Sequence, residues 1–178
     1  MSSTLIVGID VSSQSNSIFF MDSEGNHLLK KAFFVNNDTV GADTIIAEAI
    51  SYAQKINATS IKFGMESTSH YSWHLQQYLY NSSELLGFDT LVYLLNPATV
   101  RGMKKVFPHT QKTDTIDARM IAETVRFGNV KPSPKPDFRF AALQCLTRYR
   151  FSLVHTIINE KNRASNLIYL KFSSYSED

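Results

Sequence analysis

Two apolar segments of this chain each end in a single carboxylate, and this pattern limits the folds that the chain can adopt. Leu5–Ile9 is followed by Asp10, and Ser60–Met65 is followed by Glu66. Short apolar runs of this kind indicate buried strands. Because a carboxylate is rarely buried without a partner, we expect the two strand ends to meet around a shared cation.

A second pair of acids lies in the segment Lys112–Arg119. Asp114 and Asp117 are three residues apart there, which places both side chains on one face if the segment begins a helix. A simpler interpretation is that the two acids only stabilise the helix dipole at its N-terminus. If all four acids converge, their hard oxygen ligands favour Mg²⁺ or Mn²⁺.

The order of the predicted elements indicates an α/β fold. Strands are expected at residues 4–11, 15–22 and 27–35, a helix at 43–56, a strand at 60–66, a helix from 71, and a strand within 85–95. A meander followed by alternating strands and helices is typical of a mixed sheet covered by helices. Because Asp10 and Glu66 end strands and the Asp114 helix follows the last strand, we expect the four acids at one sheet edge.

The C-terminal part predicts a linker and a long helix. Lys131–Pro136 has alternating prolines, which forbid a helix and mark a domain boundary. The predicted organisation is therefore a domain at 1–130, a linker at 131–136 and a helical extension at 137–178. Apolar residues in the extension recur with coiled-coil-like spacing. This helix either packs on its own domain, forms a homo-oligomer or docks a further domain.

The charge is unevenly distributed along the chain. Residues 1–100 carry nine acidic and four basic residues, whereas residues 101–178 carry seven acidic and fourteen basic ones. A basic region next to an acidic cluster suits a site that holds metal beside a polyanion, although a solvated basic helix is the simpler alternative. The residues expected to contact nucleic-acid phosphates are Arg101, Lys104, Lys105, Lys112, Arg119, Arg126, Arg148, Arg150 and Arg163.

Composition excludes several other classes of protein. No apolar run reaches 18 residues, and the N-terminus has no signal-type core, so we expect a soluble, non-secreted, cytoplasmic protein with no membrane partner. The single cysteine, Cys145, cannot form an internal disulfide. We expect it to be a core or helix-packing residue.

Several motifs, in this order, resemble the DEDD transposases of the insertion sequence 110 family, which are related to the Piv and MooV DNA invertases. The matching stretches are Gly8–Ser12, Glu66–Thr68 with Tyr71, Asn96–Ala98, Lys112–Ala118, and a helical region with Leu143, Leu146, Arg148, Arg150 and Asn162–Arg163. The stretch with Asp114 and Asp117 is the most specific of them. Together the motifs span nearly the whole chain.

The resemblance implies a fold, a reaction and partners. The fold would be an RNase H-like (RuvC-like) mixed sheet flanked by helices and followed by a long C-terminal helix. Asp10, Glu66, Asp114 and Asp117 would be the catalytic residues and the ligands of Mg²⁺ or Mn²⁺. The reaction would be DNA strand cleavage and transfer guided by a structured bridge RNA. A second domain with a catalytic serine would lie beyond Asp178.

Three other functions are consistent with parts of the sequence. An RNase H-like nuclease acting on branched DNA would use the same four acids. Gly8–Ser15 also resembles the first phosphate loop of actin-like sugar kinases, although Ser12 stands where those loops have glycine. In a non-catalytic nucleic-acid scaffold the acids would be structural, which is costly for carboxylates at the ends of buried strands.

Overall fold

A five-stranded mixed sheet forms the centre of the protein in the computed structural model. The structure describes residues 3–67, 71–107, 114–127, 130–135 and 137–173, without the side chains of Asp114, Thr115, Phe138 and Ala141. The strands are β1 (Ser3–Val11), β2 (Ser15–Asp22), β3 (Phe33–Asn36), β4 (Ala58–Glu66) and β5 (Asp89–Leu95). Their order in the sheet is β3-β2-β1-β4-β5, and β2 alone runs antiparallel to the others. This is the mixed sheet that the sequence predicted.

Helices cover both faces of the sheet. In this part of the chain they are α1 (Thr39–Lys55), α2 (Tyr71–Asn81), α3 (Pro97–Val106) and α4 (Asp114–Phe127), with a 3-10 turn at Ser83–Gly87. A fifth helix, α5 (Phe138–Lys171), belongs to a second compact unit. Alternate residues of β1 point to opposite faces. Leu5, Val7 and Ile9 pack in the apolar cluster that contains α1 and α2, whereas Ile6 packs in the cluster that contains α4. Every strand in the middle of the sheet is thus buried on two sides.

Helix caps fix where α1 and α3 begin. The carboxylate of Asp38 accepts a hydrogen bond from the backbone N–H of Gly41 at 2.7 Å, so α1 starts four residues before the predicted position. The side chain of Asn96 accepts one from Ala98 at 2.8 Å, and Pro97 has the backbone φ that a first helical turn needs. Helix α3 therefore begins directly at the carboxyl end of β5.

The predicted third strand at 27–35 is wrong over most of its length. Only Phe33–Asn36 pairs with β2, and His27 makes an isolated bridge to Met21. This segment lies at the edge of the sheet, where β2 is its one neighbour. Between the two pairings, Leu28 and Leu29 pack on the apolar clusters instead of extending the ladder.

The segment predicted as a linker is bound to the sheet in its described part. The hydroxyl of Ser133 accepts a hydrogen bond from the N–H of Leu94 at 2.9 Å, and its own N–H donates to Val92 at 2.8 Å. The hydroxyl of Tyr80 donates to the Ser133 carbonyl. These bonds cover the outer edge of β5, which would otherwise be open to pairing with another strand.

The chain divides into two compact units, Met1–Lys135 and Pro136–Asp178. The second unit is essentially α5, whose start is capped by Asp137. Cys145 is exposed on this helix, so the prediction that it is a core residue is wrong, and the alternative that it packs against another helix stays a prediction. The reason is that a single helix cannot bury its own apolar side chains, and most of those on α5 are exposed. None of the described helices is long and apolar enough to cross a membrane.

Helix α4 lies unusually close to the sheet because Gly8 has no side chain. A Cβ atom at Gly8 would lie 2.0 Å from the backbone oxygen of Ala118 and 2.7 Å from the nitrogen of Ala122. Neither backbone atom can move without moving α4 itself. Gly8 thus sets the distance between β1, which carries Asp10, and α4, which carries Asp117.

We predict that Gly8→Ala destabilises the protein strongly. Inserting a methyl group into a packed contact costs about 1–3 kcal/mol or more, and here backbone must shift to admit it. Gly102→Ala is the matched control, since nothing lies within 4 Å of the added Cβ in α3. Its expected effect is a gain of about 0.5–1 kcal/mol, because alanine favours a helix interior over glycine. Urea unfolding measures the change in unfolding free energy for both variants. Equal changes would contradict the close contact between Gly8 and α4.

Candidate metal centre

Asp10 and Glu66 lie side by side at the carboxyl edge of the sheet. Strands β1 and β4 are parallel neighbours, and Ile9 is paired with Met65 in their register. The two acids are the next residue on each strand, and both are half-buried. The parallel register of two buried strands is therefore what brings these carboxylates together.

Asp117 reaches the same edge from α4. Its neighbour Ala118 contacts Gly8, two residues before Asp10. The Asp117 carboxylate forms an ion pair with Lys104 of α3, with 2.8 Å between Oδ1 and Nζ. Its side chain is 26% exposed and that of Lys104 is 33% exposed, so the pair is only partly in water.

The pKa of Glu66 reflects the charged groups around it. It is raised first by burial of the carboxyl group, and further by the negative charges of Asp10 and Asp117. The positive charges of Lys104 and Arg101 oppose the rise. Three carboxylates and two cations from β1, β4, α3 and α4 thus share one electrostatic environment.

Asp114 is the fourth predicted acid, and its side chain lies outside the described residues. Its backbone begins α4, one helical turn before Asp117. Among the side chains that the structure does describe, no group of three or more histidine, cysteine or carboxylate residues is placed to hold a metal ion. The oxygen donors at this edge suit Mg²⁺ or Mn²⁺ chemically. Their catalytic and metal-binding roles stay predictions.

The basic residues predicted to contact nucleic acid lie in three places. Arg101 and Lys105 are exposed on α3, together with the half-buried Lys104. Two more residues, Arg119 and Arg126, are half-buried on α4, and Lys112 lies outside the described residues. The remaining three are exposed on α5, in the second unit: Arg148, Arg150 and Arg163.

Two of these cations have partners that the sequence analysis did not identify. Lys104 pairs with Asp117, although the two residues lie on different helices, and no local spacing signals such a contact. Arg126 donates to the buried carboxylate of Glu123 at 2.8 Å. That second pair has the three-residue helical spacing from which it could have been predicted.

Comparison with known proteins identifies the family. The model of the DEDD transposases of insertion sequence 110, described as "Transposase", matches residues 7–172. The chain belongs to this family. The resemblance noted from the sequence motifs is thereby confirmed. The search of curated protein sequences found no match.

Solved structures similar to this DEDD transposase include two of RuvC from Thermus thermophilus. One is 16% identical, covers 72% of this chain and 99% of its own, and has a TM-score of 0.48. The other, "T. thermophilus RuvC in complex with Holliday junction substrate", is 14% identical, covers 75% of this chain and 100% of its own, and also has a TM-score of 0.48. The fold of the chain is the predicted mixed sheet flanked by helices and followed by a long C-terminal helix.

We predict that Glu66→Gln stabilises the metal-free protein at neutral pH. Because the pKa of Glu66 is raised, the folded state binds its proton more tightly than the unfolded state does. Stability from this group is therefore present at low pH and is lost as the pH rises through the pKa values of the two states. Glutamine removes the buried charge and should raise Tm, by less than about 4 °C, the shift expected for 1 kcal/mol.

The control for this change is Glu48→Gln. Glu48 is exposed on α1, away from the three carboxylates, and its replacement should leave Tm unchanged. Thermal unfolding at pH 7.5 in the presence of a chelator compares the two variants with the parent protein. A lower Tm for Glu66→Gln would show that the carboxylate is stabilised by its neighbours rather than strained by burial.

Proposed function

We propose that this chain carries the catalytic carboxylates of a transposase that cleaves and transfers DNA strands with the help of Mg²⁺ or Mn²⁺. The observation that carries the proposal is the parallel register that puts Asp10 beside Glu66, with Asp117 near enough to act on the charge of Glu66. Membership of the DEDD transposase family supports it. In a scaffold without catalytic activity, Asp10 and Asp117 would raise the pKa of the half-buried Glu66 without serving any reaction.

The four acids would hold the metal, with Asp114 completing the set from the first turn of α4. Divalent ions in such sites activate an attacking oxygen and stabilise the leaving oxygen of a phosphodiester. The chain's own part is to present unprotonated carboxylates at a fixed edge. Because burial raises the pKa of Glu66, acidification should remove this ligand earlier than it would remove an exposed glutamate.

The cations of α3 would position the nucleic acid. Arg101 and Lys105 are exposed, and Lys104 and Arg101 lie close enough to Glu66 to affect its pKa. Phosphate contacts of this kind fix where a strand lies but do not read its sequence. We propose that they hold a phosphodiester next to the carboxylates.

We also propose that a structured RNA guides the transposase to its DNA. Its support is the membership of the insertion sequence 110 family together with the excess of positive charge after residue 100. Basic side chains can bind the phosphates of either nucleic acid. The serine-bearing second domain, which the family resemblance implies, stays a prediction, as does oligomerisation through α5.

We predict that Asp10→Asn, Glu66→Gln and Asp117→Asn each lower metal-dependent DNA cleavage by about a hundredfold or more, the loss typical of removing one electrostatic catalytic group. Each should also weaken Mn²⁺ binding in calorimetry, which separates loss of the metal from loss of DNA. The matched control is Asp89→Asn, an exposed acid at the opposite end of β5. Cleavage that survives all three changes would rule out the proposed centre.

We predict that replacing Arg101, Lys104 and Lys105 together with alanine weakens nucleic-acid binding. If each contacts one phosphate, the slope of log K against log salt should become less steep by about 2–3 for duplex DNA. Alanine at the exposed residues Lys30, Lys31 and Lys55 removes the same charge elsewhere and should leave the slope unchanged.

The same titration with a structured RNA tests guidance by RNA. RNA that co-purifies with the protein and pairs with its DNA target would support it. If RNA binds no better than an unrelated polyanion such as heparin, the chain acts on DNA without a guide. If the slope for DNA does not change in the α3 variant, the phosphates contact another surface.

A further inference from the structure

Lys104 is placed among the carboxylates rather than on the open surface of α3. Its Nζ lies 2.8 Å from Oδ1 of Asp117, and its charge also acts on Glu66. The position is set by packing, because Val100, one turn earlier on α3, is fully buried in the cluster that contains Ala118 and Ile121 of α4. Lys104 therefore faces α4, whereas its neighbour Lys105 is exposed.

The ion pair with Lys104 engages the carboxylate of Asp117, which the metal would need as a ligand. A carboxylate binds a divalent ion through its oxygen atoms, and Oδ1 of Asp117 already accepts a charged hydrogen bond. The ammonium group of Lys104 thus lies beside Asp117, where a divalent cation is expected.

We propose that Lys104 competes with the divalent metal for Asp117, and that metal binding releases this lysine to contact a nucleic-acid phosphate. The proposal rests on the metal centre described under Proposed function. In the metal-free protein the lysine offsets the repulsion among the three carboxylates. A phosphate that draws Lys104 away should in turn free Asp117 for the metal. Metal and nucleic acid would then strengthen each other's binding, as reciprocal coupling requires.

The decisive measurement is the affinity for Mn²⁺ without nucleic acid. Lys104→Met removes the charge and keeps a similar apolar stem, so it should bind Mn²⁺ more tightly than the parent protein does. The ion pair is partly exposed, and pairs of that kind are worth up to about 1 kcal/mol, which corresponds to a gain of about two- to fivefold in affinity. Titration calorimetry resolves a change of this size. Raising the salt concentration should bring the two affinities together, because salt screens the pair.

Three further variants test the cause of this change. Lys105→Met removes a charge from the same helix at an exposed position and should leave Mn²⁺ affinity close to the parent value. Lys104→Arg keeps the charge and should also stay close to the parent. Lys104→Gln serves as a second neutral variant if the methionine protein folds poorly, and circular dichroism checks the fold of each.

Thermal unfolding gives an independent readout. Without metal, Lys104→Met should have a lower Tm than the parent, because the carboxylates lose the charge that offsets their repulsion. Saturating Mn²⁺ should raise its Tm by more than it raises that of the parent, since a ligand that binds more tightly stabilises the folded state more. The difference between the two proteins should therefore shrink when Mn²⁺ is added.

The outcomes separate this proposal from the proposed function. Tighter Mn²⁺ binding by Lys104→Met, with Lys105→Met unchanged, supports competition. Equal or weaker binding by Lys104→Met overturns it while leaving the metal centre intact, and weaker binding would mean that the lysine orients Asp117 for the metal. If neither the parent nor any variant binds Mn²⁺, both the metal centre and the competition are wrong.

Discussion

The contact between Gly8 of β1 and the backbone of α4 is the constraint on which the site depends. It lets the helix lie directly on the sheet, with Ala118 and Ala122 at the point of closest approach. Gly64 on the neighbouring strand allows Ile121 and Val125 to pack in the same way. Because Asp10 follows Gly8 and Asp117 precedes Ala118, the geometry that closes the core also sets the separation of the two carboxylates. A substitution that changes the packing of Gly8 against α4 would therefore also change the distance between Asp10 and Asp117.

The site is held at an electrostatic cost. Glu66 is half-buried beside two other acids, and its raised pKa records how unfavourable its charge is there. Proteins commonly accept such instability where a function requires it. Here α3 reduces the cost, because Asn96 caps the helix at the end of β5 and Val100 anchors it against α4. A short basic helix is thereby placed where its cations offset the carboxylates.

Much of this arrangement could be predicted from the sequence because it follows from local patterns. Apolar runs predicted β1, β2, β4 and β5, the helical spacing of apolar residues predicted α1 and α2, and the place of Asp10 and Glu66 at strand ends predicted that they lie at one sheet edge. The prediction failed where tertiary contacts decide. Leu28 and Leu29 pack on the core instead of pairing as a strand, and Cys145 is exposed on a helix that forms its own compact unit.

The ion pair between Lys104 and Asp117 could not be predicted from the sequence either, because it too depends on tertiary contacts. The two residues lie on separate helices, and their meeting depends on how α3 and α4 pack against the sheet. The excess of positive charge after residue 100 assigned Lys104 to nucleic acid together with eight other cations of that region. The structure distinguishes among those cations: Arg126 is bonded to Glu123, the arginines of α5 belong to another unit, and Lys104 contacts the acids themselves. Net charge alone does not distinguish these cations, because the packing of α3 and α4 decides which of them already has an acidic partner.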